Sequence, residues 1–360
     1  MSNGASNGVI DLGELERQAR SVLPRAAYDY FAGGAGTEST LRDNVAAWQR
    51  IRLAPHVLRD VSGPDLSAGL LGLPLSMPVL IAPVAYQKMA HDDGEAGTAR
   101  AAAAAGTIMV VSTNATQSLE EVAAAAPGAG LLFQLYVHSD RRMTLELMRR
   151  AAAAGYAGLV VTADTPRTGN RLRDQRNRFR LPAHLSTVNT DWPAVAGVAA
   201  ADVAAYPGRS YEAGLTTGTL AWLREHSELP IMLKGVHRAD DALLAVQSGV
   251  DGIIVSNHGG RQLDGAVATA DALPAIAAAV GQRVPVLVDG GIRSGVDVIR
   301  ALALGARAVL IGRPALWGLV AAGSAGVTAV LEHFRSEITL ALQLAGVASV
   351  AAVDGDLIWP

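Results

Sequence analysis

The chain has 360 residues, 50% of them hydrophobic and 18% charged, with a net charge of −3 at pH 7 and no cysteine. Such a length admits either two domains of about 100–200 residues or one α/β barrel of about 250 residues with insertions. The lack of cysteine excludes disulfides, thiolate metal sites and thiol nucleophiles, and the small negative charge gives no reason to expect nucleic acid or an anionic membrane as partner.

Residues 1–10, MSNGASNGVI, are mostly small and polar and lack the basic-then-apolar order of a secretion signal. A disordered tail is expected there, with the cytoplasm as the default location. Residues 11–74 read as an N-terminal helical segment. DLGELERQA and LRDNVAAWQRI carry apolar residues at helical spacing, and the glycines of YDYFAGGAGTE mark a turn between them.

From residue 75 to 350 the pattern changes. Eight β-rich bursts alternate with alanine-rich helical stretches: PVLIAP (78–83), TIMVVS (107–112), LLFQLY (131–136), GLVVTAD (158–164), PIMLKG (230–235), GIIVSNHGG (252–260), VPVLVDGG (284–291) and AVLIGRP (308–314). Continuous apolar strands alternating with helices imply parallel strands buried on both faces. Eight such units predict a closed (β/α)8 TIM barrel, with an open doubly wound sheet as the alternative. Between the fourth and fifth bursts the chain inserts a much longer stretch. Residues 165–215 are read as an active-site loop, because long loops in compact domains are usually functional or disordered. The insertion opens with PRTGNRLRDQRNRFR, which holds six arginines and suits a solvated charged loop. Pro314 to Leu331 is read as two short buried helices with a turn, not a membrane span of about 20 apolar residues. Residues 351–360 form a C-terminal tail.

In a barrel of this kind chemistry sits at the C-terminal ends of the strands. The polar residues fall there: Ser112, Gln134 and Tyr136, Thr162 and Asp164, Lys234, Ser256 and His258, Asp289 and Arg293, Gly312 and Arg313. His258 can accept a proton at neutral pH, Arg261 can fork onto a carboxylate, and Asp164 can orient the imidazole. A lone histidine among glycines is more often structural, and strand-end placement beside Arg261 and Asp164 is what favours catalysis. DGGIRSG and IGRP, after the seventh and eighth bursts, offer glycines and arginines where barrels commonly bind phosphate. Lys234 is one of two lysines among 30 basic residues, which suits a site needing a compact charge. Tyr30 and Tyr136 can donate hydroxyls or pack in a core. No G-x-G-x-x-G opens a helix after a strand, and no histidine–carboxylate cluster suggests a metal.

These residues resemble the FMN-dependent 2-hydroxy-acid oxidases and dehydrogenases, a family that includes glycolate, lactate and mandelate or hydroxymandelate oxidases. SNHGGRQLDG, LVDGGIRSG and LIGRP carry the resemblance, supported by YDYFAGG, IAPVAYQKMAH, FQLY and VTADTPR. It extends from about Leu15 to Val350. The resemblance implies FMN as cofactor and oxidation of a small-molecule (S)-2-hydroxy acid to a 2-oxo acid, with O2 as acceptor and H2O2 as product. His258 would be the base, with Asp164 holding it. Arg261 and Arg171 would bind the substrate carboxylate, with Tyr30 assisting and Tyr136 near the substrate hydroxyl. Lys234 would lie against the flavin ring, with Ser112, Gln134, Thr162, Ser256 and the run Ala82, Pro83, Val84 and Ala85 around it. Asp289, Gly291, Arg293, Gly312 and Arg313 would hold ribityl and phosphate. A homotetramer or octamer is also implied.

Three positions depart from the plant glycolate oxidase pattern. Asn114 stands where a tryptophan is usual, Thr168 where a leucine is, and Asn170 replaces one arginine of a doublet. A wider, more polar pocket for mandelate-type or other bulky acids is expected. The alternatives are a quinone- or cytochrome-linked dehydrogenase on the same scaffold, a lactate-type oxidase or monooxygenase, another flavin or phosphate barrel enzyme, and a catalytically inactive binding protein.

Overall fold

The computed structural model describes residues 10–190 and 211–360. The expected disordered tail therefore lies almost wholly outside the described residues, as does the middle of the insertion read from 165 to 215. Three helices lead the chain: α1 (Leu12–Val22), α2 (Arg25–Ala32) and α3 (Ser39–Arg50). Asp11 caps α1 by accepting the N–H groups of Gly13 and Glu14. The turn expected at the glycines of YDYFAGGAGTE lies there, and Tyr28 to Phe31 ahead of them are helical in α2, which buries Phe31.

An antiparallel hairpin follows, β1 (Ala68–Leu70) and β2 (Leu73–Leu75), inside the stretch read as helical. Leu70 and Leu75 join the inner cluster of the barrel, and a Cβ at Gly158, just before a barrel strand, would touch Leu71. The hairpin thus closes the N-terminal mouth. The eight expected bursts form the barrel strands β3 (Val79–Ile81), β4 (Ile108–Ser112), β5 (Gly130–Leu135), β6 (Leu159–Thr162), β7 (Ile231–Val236), β8 (Gly252–Val255), β9 (Val286–Asp289) and β10 (Ala308–Ile311). All pairs are parallel, and β10 closes on β3 with Val309 opposite Val79. Alternate residues such as Leu80, Val110, Leu132, Val160, Ile254 and Leu287 fill the interior, while their neighbours face the helices.

Register brings the polar strand ends level. Ser112 pairs with Gln134, Thr162 with Lys234, and Leu310 with Asp289. The last helix, Arg313–Ala345, starts at Gly312 with Pro314 in its first turn. Ala322 and Gly323 break it, and Asp93 accepts the Ser324 N–H at 2.7 Å to restart it. The expected pair of helices is present, but the second is long, running to Ala345. The last residues fold back: Trp359 N–H donates to Arg52 O and Ala54 N–H to Leu357 O, both at 2.8 Å, with Leu357 buried.

Candidate active site

At the C-terminal mouth of the barrel the strand ends surround a cavity of about 550 Å³. His258 stands in the turn after β8 at φ 59°, a left-handed conformation that is rare for a residue with a Cβ. Its surroundings enforce that conformation. Ser256 Oγ accepts the His258 N–H at 3.1 Å, and the neighbouring Asn257 exchanges two amide hydrogen bonds of 2.7 Å with Asn44 of α3.

His258 Nδ1 lies 3.1 Å from Asp164 Oδ1. Asp164 follows β6 and packs over Gly235, where a Cβ would come within 2.7 Å of its own Cβ. Burial pushes the His258 imidazole below its ordinary value, partly opposed by the Asp164 charge and hydrogen bond. At Asp164 burial works upward, but the charge and hydrogen bond of His258, with Lys234 and His237, hold the carboxyl below its usual range. The pair at neutral pH is therefore a neutral ring beside a carboxylate. With Nδ1–H donated to Asp164, Nε2 presents a lone pair able to take a proton.

Two guanidinium groups face the same space. Arg261 donates to the carbonyls of Tyr30 and Gly33 and lies 4.9 Å from the centre of the Tyr30 ring. Arg171 reaches Arg261 O and Gln262 Oε1, both at 3.4 Å. These acceptors are neutral, and among the described residues neither arginine is ion-paired. Burial, then the charge of Arg171, push Arg261 down to about 10. Unpaired guanidiniums beside a cavity are suited to a carboxylate from outside the chain.

The floor is a connected polar row. Gln134 Oε1 accepts from Thr113 N–H at 3.1 Å and Ser112 Oγ at 3.3 Å, and its Nε2 donates to Thr162 Oγ1 at 3.0 Å. Lys234 Nζ donates to Ser256 Oγ at 2.6 Å and pairs with Asp289 Oδ2 at 2.8 Å. Asp289 Oδ1 is buried without a partner. At the far end Arg313 donates to the carbonyls of Phe31, Gly33 and Gly259 at 2.9–3.0 Å, and burial pushes it down to about 9. Burial also lowers Arg293, and neither arginine is ion-paired among the described residues. Gly291, at φ 82°, lies so close to α3 that a Cβ would overlap Asn44 O. An orphaned carboxylate oxygen, two unpaired guanidiniums at a long helix's N-terminus and a buried ammonium beside an amide–hydroxyl row fit a phosphorylated flavin.

The structure brings together at this cavity the residues given catalytic or binding roles from the sequence; of the three departures Asn114 and Thr168 line it, and Asn170 does not. Tyr30, Ala82, Pro83, Val84, Ala85, Asn114, Tyr136, Thr168, Gly291 and Gly312 line the cavity with the groups above. Asp164 and Ser256 stand behind His258 and Lys234, and Thr168 lies at an exposed rim. Three aromatics were missed. Tyr211 stacks on Tyr136 at 4.4 Å and donates to Asn114 Oδ1 at 2.8 Å; Phe179 stacks on Tyr30 at 4.5 Å; Tyr86 lies 5.5 Å from Tyr30. Asp174, whose carboxyl is raised by burial, was missed too. The scarcity of aromatics, 4% of the chain, was the available signal.

The sequence profile of the FMN-dependent dehydrogenase family matches residues 19–360. Human 2-hydroxyacid oxidase 1 is 46% identical over 356 residues, covering 97% of this chain and 96% of the relative. L-lactate oxidase from Nostoc sp. is 47% identical over 364 residues, covering 97% and 98%. The solved structure of a mandelate oxidase with (S)-4-hydroxymandelic acid superposes with a TM-score of 0.91 at 44% identity, covering 98% of each chain. The chain therefore belongs to the FMN-dependent dehydrogenase family. Within it, the chain is a member of the 2-hydroxyacid oxidase family of enzymes.

Proposed function

We propose that this protein oxidises 2-hydroxy acids to 2-oxo acids with FMN as its cofactor and O2 as electron acceptor, releasing H2O2. The reaction removes two electrons and two protons from the substrate, one hydrogen leaving the α-carbon and the other the hydroxyl oxygen. Bound FMN supplies the two-electron acceptor. The chain supplies position and charge. Arg171 and Arg261 take the substrate carboxylate, with the Tyr30 hydroxyl assisting, and so fix the α-carbon near His258. His258 Nε2 takes a proton, and Asp164 stabilises the imidazolium that results. Tyr136 stands by the substrate hydroxyl. Lys234, with Ser112, Gln134, Thr162, Ser256 and residues 82–85, would hold the flavin ring, and Asp289, Gly291, Arg293, Gly312 and Arg313 the ribityl phosphate.

One observation carries this reading: His258, 3.1 Å from Asp164, faces the same cavity as two guanidiniums that form no ion pair among the described residues. The lining also favours a bulky, aryl-bearing acid. Tyr30, Tyr86, Tyr136, Phe179 and Tyr211 line the cavity, the last held by its hydroxyl on Asn114 Oδ1. Oxygen uptake and peroxide release should be measured with glycolate, lactate and mandelate. Turnover with all three, fastest with mandelate, is expected. Flavin reduction that consumes no O2 but supports a quinone acceptor would make the protein a dehydrogenase instead.

A further inference from the structure

Gln262 follows Arg261 in the turn after β8, and its side-chain amide is fully engaged by a single loop. Nε2 donates to the carbonyls of Asp164 at 2.8 Å and Arg167 at 2.9 Å. Oε1 accepts from Gly169 N–H at 3.1 Å and from Arg171 Nη2 at 3.4 Å. All four contacts fall on residues 164–171, the stretch that carries both Asp164 and Arg171. The two segments also meet backbone to backbone. A Cβ on Gly169 would overlap Arg261 O and lie 2.7 Å from Gln262 Cα, and Arg171 Nε reaches Arg261 O at 3.4 Å.

The loop needs such a tie. Residues 163–171 have no helix or strand of their own; backbone bonds hold the two ends, Ala163 N–H on Lys234 O and Gly36 N–H on Asn170 O, both at 2.8 Å, with Arg171 at the N-cap of the short helix Leu172–Arg176, and Gln262 ties the span between them. Arg171 and Arg261 are also like charges facing one cavity, and Coulomb repulsion alone would separate them. A neutral amide that satisfies two donors and two acceptors holds the loop without neutralising either guanidinium.

We infer that Gln262 is a positioning residue that sets the spacing of Arg171 and Arg261, and hence the affinity for the substrate carboxylate, by clasping loop 164–171 to the turn after β8. The inference rests on the proposed reading of the two arginines as the carboxylate site.

The test uses the FMN-loaded enzyme. Gln262→Met keeps the side chain's volume and removes all four hydrogen bonds. Gln262→Glu keeps its shape but puts a carboxylate beside Arg171. Gln262→Met should raise KM for mandelate and Kd for benzoate roughly tenfold, with kcat changed less than about threefold and flavin content unchanged. Gln262→Glu should raise both constants further, because its carboxylate competes for Arg171. In an Arg171→Met background, adding Gln262→Met should change KM by less than about twofold, since the two residues act as one unit. A lower melting temperature at wild-type KM, or full additivity in the double variant, would overturn the clasp and leave the arginine reading standing. An Arg171→Met enzyme with wild-type KM would remove the arginine reading and the clasp with it.

Discussion

Asp164 and His258 lie 94 residues apart in the chain, yet their side chains meet at 3.1 Å and each shifts the other's proton affinity. The imidazole must be neutral to take a proton. Because burial holds it below 6.5, kcat/KM should stay level through neutral pH and fall only as His258 protonates, at a pH below 6.5. A pH profile of the free enzyme checks this, and an acid limb above 6.5 would contradict it. Asp164→Asn should lower kcat roughly 10²–10⁴-fold while FMN binding survives, as stopped-flow flavin reduction can show. Among single residues, the meeting of His258, Arg261 and Asp164 was legible because each stands at the end of an apolar burst, where a barrel presents its chemistry. Tyr211 and Phe179 were not. Their contacts depend on the path of the long stretch after β6, which has no hydrophobic period to read.

At the scale of elements, the barrel strands were legible as unbroken apolar runs, since a strand buried on both faces needs no alternation. The hairpin β1–β2 was hidden because its strands have three residues each and lie between turn-forming glycines and prolines. Helix α2 was hidden because its tyrosines adjoin the glycines of the following turn. The C-terminal fold-back was equally silent: what fixes it is Leu357, buried against distant parts of the chain. Leu357→Ala should cost about 2–5 kcal/mol of stability, read as a lower urea midpoint at unchanged slope. A midpoint equal to wild type would mean that this segment contributes little.

At the scale of the whole molecule, the closed ring of strands gathers buried guanidiniums that form no ion pair among the described residues. Arg293 and Arg313 are both held below the ordinary arginine value by burial. Charges kept in that state make the apoprotein less stable than its core alone would allow, and a bound dianion reverses the penalty. Adding FMN to apoprotein should therefore raise the melting temperature. Arg313→Met should weaken FMN binding roughly 100-fold, which removes about 2.7 kcal/mol of that stabilisation at fixed FMN concentration. A variant with the same thermal shift as wild type would show that Arg313 does not meet the phosphate.

In the proposed reaction His258, oriented by Asp164, takes the proton from a hydroxy acid whose carboxylate the two arginines hold. The most direct measurement is an anaerobic titration of the FMN-loaded protein with mandelate, followed by admission of oxygen, for wild type and His258→Ala side by side. The wild-type yellow colour should bleach and return with one peroxide per flavin, while the variant stays yellow throughout. A variant that bleaches as fast as wild type would contradict it.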